Sequence, residues 1–160
     1  ILLGGLLLVS CGTSPEPKTI YIVRHAEKML VDNPDPELSQ VGMVRSKKLA
    51  QILADKDIKH VFSTDYKRTK WTAQPTADQV GGQIETYDPR DQESFAEKLK
   101  GLEGNILVVG HSNTAPRLAN ILIGGGSPYP DLTDVEYDNI YILDYKENGF
   151  SASVKKYGDF

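Results

Sequence analysis

A three-layer α/β sandwich with a mostly parallel central sheet is what the sequence predicts, and two observations predict it. From Lys18 onward, short apolar runs alternate with stretches of helical periodicity, the order that builds strand–helix–strand units. Three of the apolar runs also end alike, in a cationic or imidazole residue followed by a loop or helix start: IVRH at 22–25, FSTDYKRT at 62–69 and VVGHSN at 108–113. The 160 residues, 39% hydrophobic and 25% charged, suit one domain with one core.

The elements follow in order. Residues 19–23 (TIYIV) form a first strand, and after the polar loop VDNPDPE comes Ser39, a helix N-cap with Leu38 and Met43 placed as a staple. The helix sets Val41, Val44, Leu49, Ile52 and Leu53 on one stripe and Arg45, Lys47, Lys48 and Gln51 toward water, ending near Asp57. Residues 60–63 are a second strand. Thr64 and Asp65 cap a second helix through Arg68 and Trp71, which Pro75 should kink or restart and Gly81-Gly82 should stop. Residues 84–87 are a third strand; Phe95, Leu99 and Leu102 mark a third helix. Residues 106–109 read as the most buried strand, leading through Gly110-His111-Ser112 into a fourth helix that ends at residues 124–126, all glycine. Residues 140–145 and 150–154 flank Asn148-Gly149, a hairpin signal.

The first eleven residues, ILLGGLLLVSC, are an apolar run too short to span a bilayer. Residues 1–10 are expected to be the remnant of a secretory signal. Leu8-Val9-Ser10-Cys11 resembles the lipobox of bacterial lipoproteins, which implies lipidation of Cys11, the only cysteine. Residues 11–18 then serve as anchor and tether, residues 19–160 as the folded domain, and the expected location is outside the cytoplasm, held at a cell-envelope membrane by lipid alone.

Net charge is −4, and the 18 Lys and Arg are dispersed, so no basic track marks nucleic acid as a partner. An acidic protein that handles an anion must gather its positive side chains in one cleft. In open α/β sheets, sites form beyond the carboxyl ends of the strands, where Arg24, His25, Arg68 and His111 can meet. A phosphoryl group fits that set: guanidinium forks grip its oxygens, and a neutral imidazole nitrogen attacks phosphorus. Neighbouring positive charge should hold the histidines below their ordinary pKa and keep the attacking ring neutral.

RHAEK, PELSQVGMVRSKKLA, STDYKRTKWTA and VVGHSNT, in that order across residues 19–123, resemble the histidine phosphatase superfamily, with its phosphoglycerate-mutase-like fold, in the short single-domain form. The resemblance implies His25 as the phosphorylated nucleophile, Arg24, Arg68 and His111 as the phosphate pocket, a contribution from the Ser63 hydroxyl, and neither metal nor cofactor. It also implies a carboxylic acid that protonates the leaving oxygen. The motif that usually surrounds that acid is absent from this sequence, so position alone nominates Asp88 first, Glu93 second and Glu27 third.

His60 is expected to be structural or exposed, and Trp71 to pack in the core. Residues 124–133 with Tyr129 form either a mobile rim or a plain connection. The chain lacks long insertions, so an open site suited to a phosphorylated small molecule or a phosphoprotein is expected. Two readings stand beside phosphomonoester hydrolysis: a phosphohistidine or phosphoprotein phosphatase, and a non-catalytic module that binds an anion in the same pocket.

Overall fold

The computed structural model describes residues 16–147 and 149–160. The expected signal remnant, the Cys11 anchor and Asn148 of the hairpin lie outside the described residues.

Among the described residues, six strands and four α-helices follow in the order β1 (Lys18–Arg24), α1 (Gln40–Leu53), β2 (Ile58–Ser63), α2 (Lys67–Val80), β3 (Ile84–Thr86), α3 (Gln92–Gly101), β4 (Asn105–Gly110), α4 (Thr114–Ile123), β5 (Asn139–Lys146) and β6 (Gly149–Lys156). The strands form one sheet in the order β3-β2-β4-β1-β5-β6. Neighbours from β3 to β1 are parallel, while β5 and β6 complete the sheet antiparallel.

The period-two rule divides the core. Ile20, Ile22, Ile106 and Val108 face one side with Phe95 and Leu99 of α3 and Leu118 and Leu122 of α4. Tyr21, Val23, Leu107 and Val109 face the other with Leu49, Ile52 and Leu53 of α1 and Ala73 and Ala77 of α2. That is the three-layer sandwich.

Several local expectations are corrected. β1 begins at Lys18, and this lysine is buried, its Nζ donating to the Leu99, Lys100 and Leu102 carbonyls at the end of α3 at 2.7, 2.6 and 2.5 Å. Lys18 is therefore part of the domain and no part of a tether.

On α1, Ser39 does cap the helix, accepting from the Gly42 amide at 3.2 Å. Val41 and Val44, however, are 61% and 69% exposed, and the buried face starts with Gly42 and Ser46. The reason is a close approach: a Cβ on Gly42 would lie 2.1 Å from the Glu27 carbonyl oxygen. Small residues, and no branched ones, fit where α1 leans on the segment after β1.

α2 runs unbroken through Pro75. Its start is not capped by Thr64 or Asp65; the Lys67 amide donates instead to Asp35 Oδ1 at 3.0 Å, from the preceding loop. Trp71 is 39% exposed, in a shallow apolar groove with Leu38, Met43 and Pro75, and does not pack in the core. His60 is half-buried on β2, its Nε2 3.0 Å from the Glu103 carbonyl. α2 stops at Gly81 and α4 at Gly124, both left-handed. Among the described residues no helix is long and apolar enough to cross a membrane.

Candidate functional site

β1 and β4 run parallel and pair Arg24 with Gly110, so their carboxyl ends finish side by side. The His25 amide continues the ladder by donating to the Gly110 carbonyl at 2.9 Å. Beyond it the chain turns, and the Ala26 amide donates 2.9 Å to Thr72 Oγ1, whose own hydrogen goes to the Arg68 carbonyl at 2.7 Å. Glu27 is pinned next, its carbonyl accepting from the Ser39 amide at 2.9 Å and the Ser39 hydroxyl at 3.2 Å. A strand that ends under such restraint can present adjacent residues to one cleft, as Arg24 and His25 require.

That cleft has a volume of about 500 Å³, and its lining includes Arg24, His25, Lys28, Arg68, Arg90 and His111. The His25 and His111 rings meet edge to face with centroids 5.6 Å apart. His25 is 4% exposed, and its Nδ1 lies 2.8 Å from the Ala26 carbonyl. A carbonyl only accepts, so Nδ1 carries the hydrogen and Nε2 keeps its lone pair.

Each histidine has its own arginine and tyrosine. Arg24 lies 4.0 Å over the Tyr137 ring, whose centroid is 6.0 Å from that of His25; Arg68 lies 4.4 Å over Tyr66, which sits 5.2 Å from His111. Aromatic faces hold guanidinium planes without using their N–H groups.

Arg24 Nη1 donates to the Thr133 and Glu136 carbonyls at 2.8 and 3.0 Å. Arg24 Nε, Arg68 Nε and Arg68 Nη1 are buried without a hydrogen-bond partner, the Asp35 carboxylate standing off at 3.6 Å from Arg68. Buried charged donors without acceptors are costly, and a phosphoryl oxyanion is the acceptor that their geometry suits.

Electrostatics agree. Burial, with the charges of His111, Arg24 and Arg68 acting the same way and the Ala26 hydrogen bond opposing, brings the His25 pKa down to about 3. Burial, then Arg68 and Arg24, lowers that of His111 to about 4. Both rings are neutral near pH 7, so His25 Nε2 is free to attack.

The expected acids are placed elsewhere. Asp88 does not line the cleft but a neighbouring groove with Asp65, Tyr66, Tyr87, Pro89 and Arg90. Its carboxylate is clasped by Arg90, at 2.9 and 3.2 Å from Nε and 2.7 Å from Nη2, and that hydrogen bonding holds its pKa at about 2. An acid that strong has no proton to give near neutrality.

Glu93 pairs with Arg117 on the surface at 3.1 Å. Burial would raise the Glu27 carboxyl, but the Arg45 fork at 2.6 to 3.1 Å holds it below its ordinary value. Ser63 is fully buried and donates to the Thr64 carbonyl at 2.9 Å, outside the cleft lining. Tyr129 turns from the rim into the core, 5.0 Å from Tyr141, with its backbone held by Asn120.

Tyr66, Tyr137, Lys28, Arg90 and Thr64 were not singled out for the site from the sequence. Tyr66 and Lys28 sit inside the quoted motifs and could have been marked by their neighbours, whereas nothing local marks Tyr137.

The ends of β1 and β4 and the start of α2 thus bring two neutral histidines, Arg24 and Arg68 to one cleft whose chemistry suits an anion. The chain belongs to the histidine phosphatase superfamily (branch 1), whose family model matches residues 20–103, just over half of the sequence. His111 lies beyond that match. No curated protein matches the chain in sequence.

Among solved structures, the protein histidine phosphatase SixA in complex with tungstate is similar at 19% identity, TM-score 0.71, over 88% of this chain and 98% of that one. A mycobacterial glucosyl-3-phosphoglycerate phosphatase is similar at 12% identity, TM-score 0.68, over 88% and 98%. At such identities the likeness shows the phosphoglycerate-mutase-like fold.

Proposed function

We propose that the protein is a phosphatase that hydrolyses phosphomonoesters through a phosphohistidine formed on His25. The observation that carries the reading is a neutral His25 whose tautomer leaves Nε2 bare, beside arginine N–H groups that lack an acceptor. Membership of the superfamily supports phosphatase activity. Arg24 and Arg68 clamp the phosphoryl oxygens with His111 beside them, and His25 Nε2 attacks in line as the ester oxygen departs. Water then cleaves the phosphorus–nitrogen bond and releases phosphate.

The test is hydrolysis of an aryl phosphate by wild type and His25→Ala, with acid-quench detection of phosphohistidine. Turnover and a labelled enzyme that both vanish in the variant support the reading. Phosphate binding without turnover in the wild type would sink it in favour of an anion-binding module.

A second reading, dephosphorylation of phosphohistidine or another phosphoprotein, is favoured by the open cleft of about 500 Å³ and by the likeness to a protein histidine phosphatase. Competition between a phosphorylated protein and a small aryl phosphate would rank the two. The location at a cell-envelope membrane rests on the Cys11 motif; a Cys11→Ala chain that stays equally membrane-bound would remove it.

A further inference from the structure

Behind His111 two buried threonine hydroxyls form a chain whose direction can be read. Thr69 Oγ1 lies 3.0 Å from the Thr64 carbonyl oxygen and 2.9 Å from that of Tyr66. Carbonyls only accept, so the single hydroxyl hydrogen of Thr69 points at one of them. Thr64 Oγ1, 2.9 Å from Thr69 Oγ1, must then donate to it, which commits Thr64's only hydroxyl hydrogen.

His111 Nε2 is 2.9 Å from Thr64 Oγ1, and that oxygen can now only accept. Neutral His111 thus holds its hydrogen on Nε2 and its lone pair on Nδ1, the reverse of His25. Both threonines are 0% exposed, so bulk water does not compete for the chain.

Among the described residues that line the cleft there is no aspartate or glutamate, and the Asp35 carboxylate beside it is taken up by the Lys67 amide at 3.0 Å and Arg68 at 3.6 Å, so the lining offers the departing group no carboxylic acid. A phosphomonoester carries a proton of its own: with a second pKa of about 6, roughly a tenth is the monoanion near pH 7. We propose that Thr64 is a positioning residue that makes His111 the proton carrier, Nδ1 taking the P–OH proton of the bound monoanion and returning it to the departing group.

The proposal rests on the phosphatase reading. The bonds balance. As His25 Nε2 bonds to phosphorus, the P–O ester bond breaks, its electron pair stays with the leaving oxygen, and that oxygen takes the Nδ1 proton. In the second half, Nδ1 receives a proton from the attacking water and yields it to the phosphate as the P–N pair returns to His25.

The groups facing His111 are His25 and Arg24 from β1, Tyr66 and Arg68 from the start of α2, and Lys28 and Arg90 on the rim. Burial first, and then the charges of Arg68 and Arg24, keep the ring neutral until a phosphoryl charge arrives to support the added proton.

Long-range proton–nitrogen NMR of the imidazoles reads the tautomers without any turnover, with signals assigned through His25→Ala and His60→Gln. The expected spectrum has His111 as Nε2–H and His25 as Nδ1–H; Thr64→Val, of the same shape, scrambles only His111, and Thr64→Ser preserves it. In single-turnover kinetics, Thr64→Val should slow formation of the phosphohistidine about 10- to 100-fold from an alkyl phosphate, whose leaving group needs the proton, and within about threefold from an aryl phosphate. Thr64→Ser should restore the alkyl rate.

An Nδ1–H tautomer for His111 in the wild type, or equal losses on both substrates in the phosphohistidine-forming step of Thr64→Val, would overturn the proposal. A wild type inert toward every phosphoryl donor defeats the phosphatase reading and the carrier role with it. The tautomer spectrum tells that outcome from failure of the proposal alone.

Discussion

Two adjoining depressions at the carboxyl end of the sheet divide the charge of this molecule. One is lined by Arg24, Lys28, Arg68, Arg90 and both neutral histidines with no carboxylate; the other, which shares Tyr66, Pro89 and Arg90 with it, contains Asp65 and Asp88. A protein of net charge −4 repels an anion at a distance; the cations of the first depression offset this locally, with no Asp or Glu among its described lining residues and Asp35 set beside it, 3.6 Å from Arg68. The comparison teaches that the absence of a resident acid and the presence of an anion site are one design. A carboxylate set among these cations would ionise, so under the proposed phosphatase reading the proton is assigned to a group that is neutral when the site is at rest.

The sharpest way to break the contrast is His25→Ala. It should lower aryl phosphatase kcat by at least about 10³-fold, whereas retained activity would move the chemistry to the acidic depression. Arg68→Ala should cost about 10²- to 10³-fold in kcat/KM, and Arg68→Lys should recover little of it, because an ammonium cannot supply the two parallel N–H groups.

Gly42→Ala tests whether the end of β1 must be held. Its Cβ meets the Glu27 carbonyl at 2.1 Å, so stability should fall by roughly 1 to 3 kcal/mol in urea titration, with activity falling beyond the change in folded fraction.

The histidines should also make stability depend on pH. Their folded pKa values, about 3 and about 4, lie below the ordinary value of about 6.5. Between those limits the unfolded chain binds protons that the folded chain does not, so stability is complete above about pH 6.5 and declines as pH falls. His25→Gln should flatten the decline between pH 6.5 and 5 by up to about 1.4 kcal/mol per pH unit, as read by urea unfolding at the two pH values. The smallest effect is expected of Asp88→Asn, within about threefold in kcat on an alkyl phosphate, since its carboxyl is committed to Arg90; a loss near 10²-fold would return it to the acid role.

The layer order and four of the six cationic or imidazole residues of the cleft were legible because both follow from local signals: apolar runs fix strands, and the residues that end a strand or open the next helix fall at the sheet's rim. What was missed depends on contacts between distant segments. Val41 and Val44 read as core because hydropathy ranks them first, yet α1 needed Gly42 and Ser46 on that face to approach Glu27. Asp88 was placed correctly after β3, but its turn brings Arg90 back onto it two residues later. Tyr137 reaches Arg24 only because β5 pairs antiparallel with β1, a partnership that no short motif announces.

Arg24 is steadied by the main-chain oxygens of Thr133 and Glu136, and this carries a genetic corollary. Point substitutions at Asp134 and Val135 leave those oxygens in place and should be interchangeable as far as catalysis is concerned, whereas Thr133 and Glu136 brace the turn itself, the Thr133 amide and hydroxyl both donating to Glu136 Oε2 at 2.8 Å. A one-residue insertion or deletion in the same stretch shifts the carbonyls themselves and should behave as a lesion of the arginine. The middle of the segment is thus tolerant in spelling and intolerant in length, and a mutational scan that sampled substitutions alone would overlook its importance.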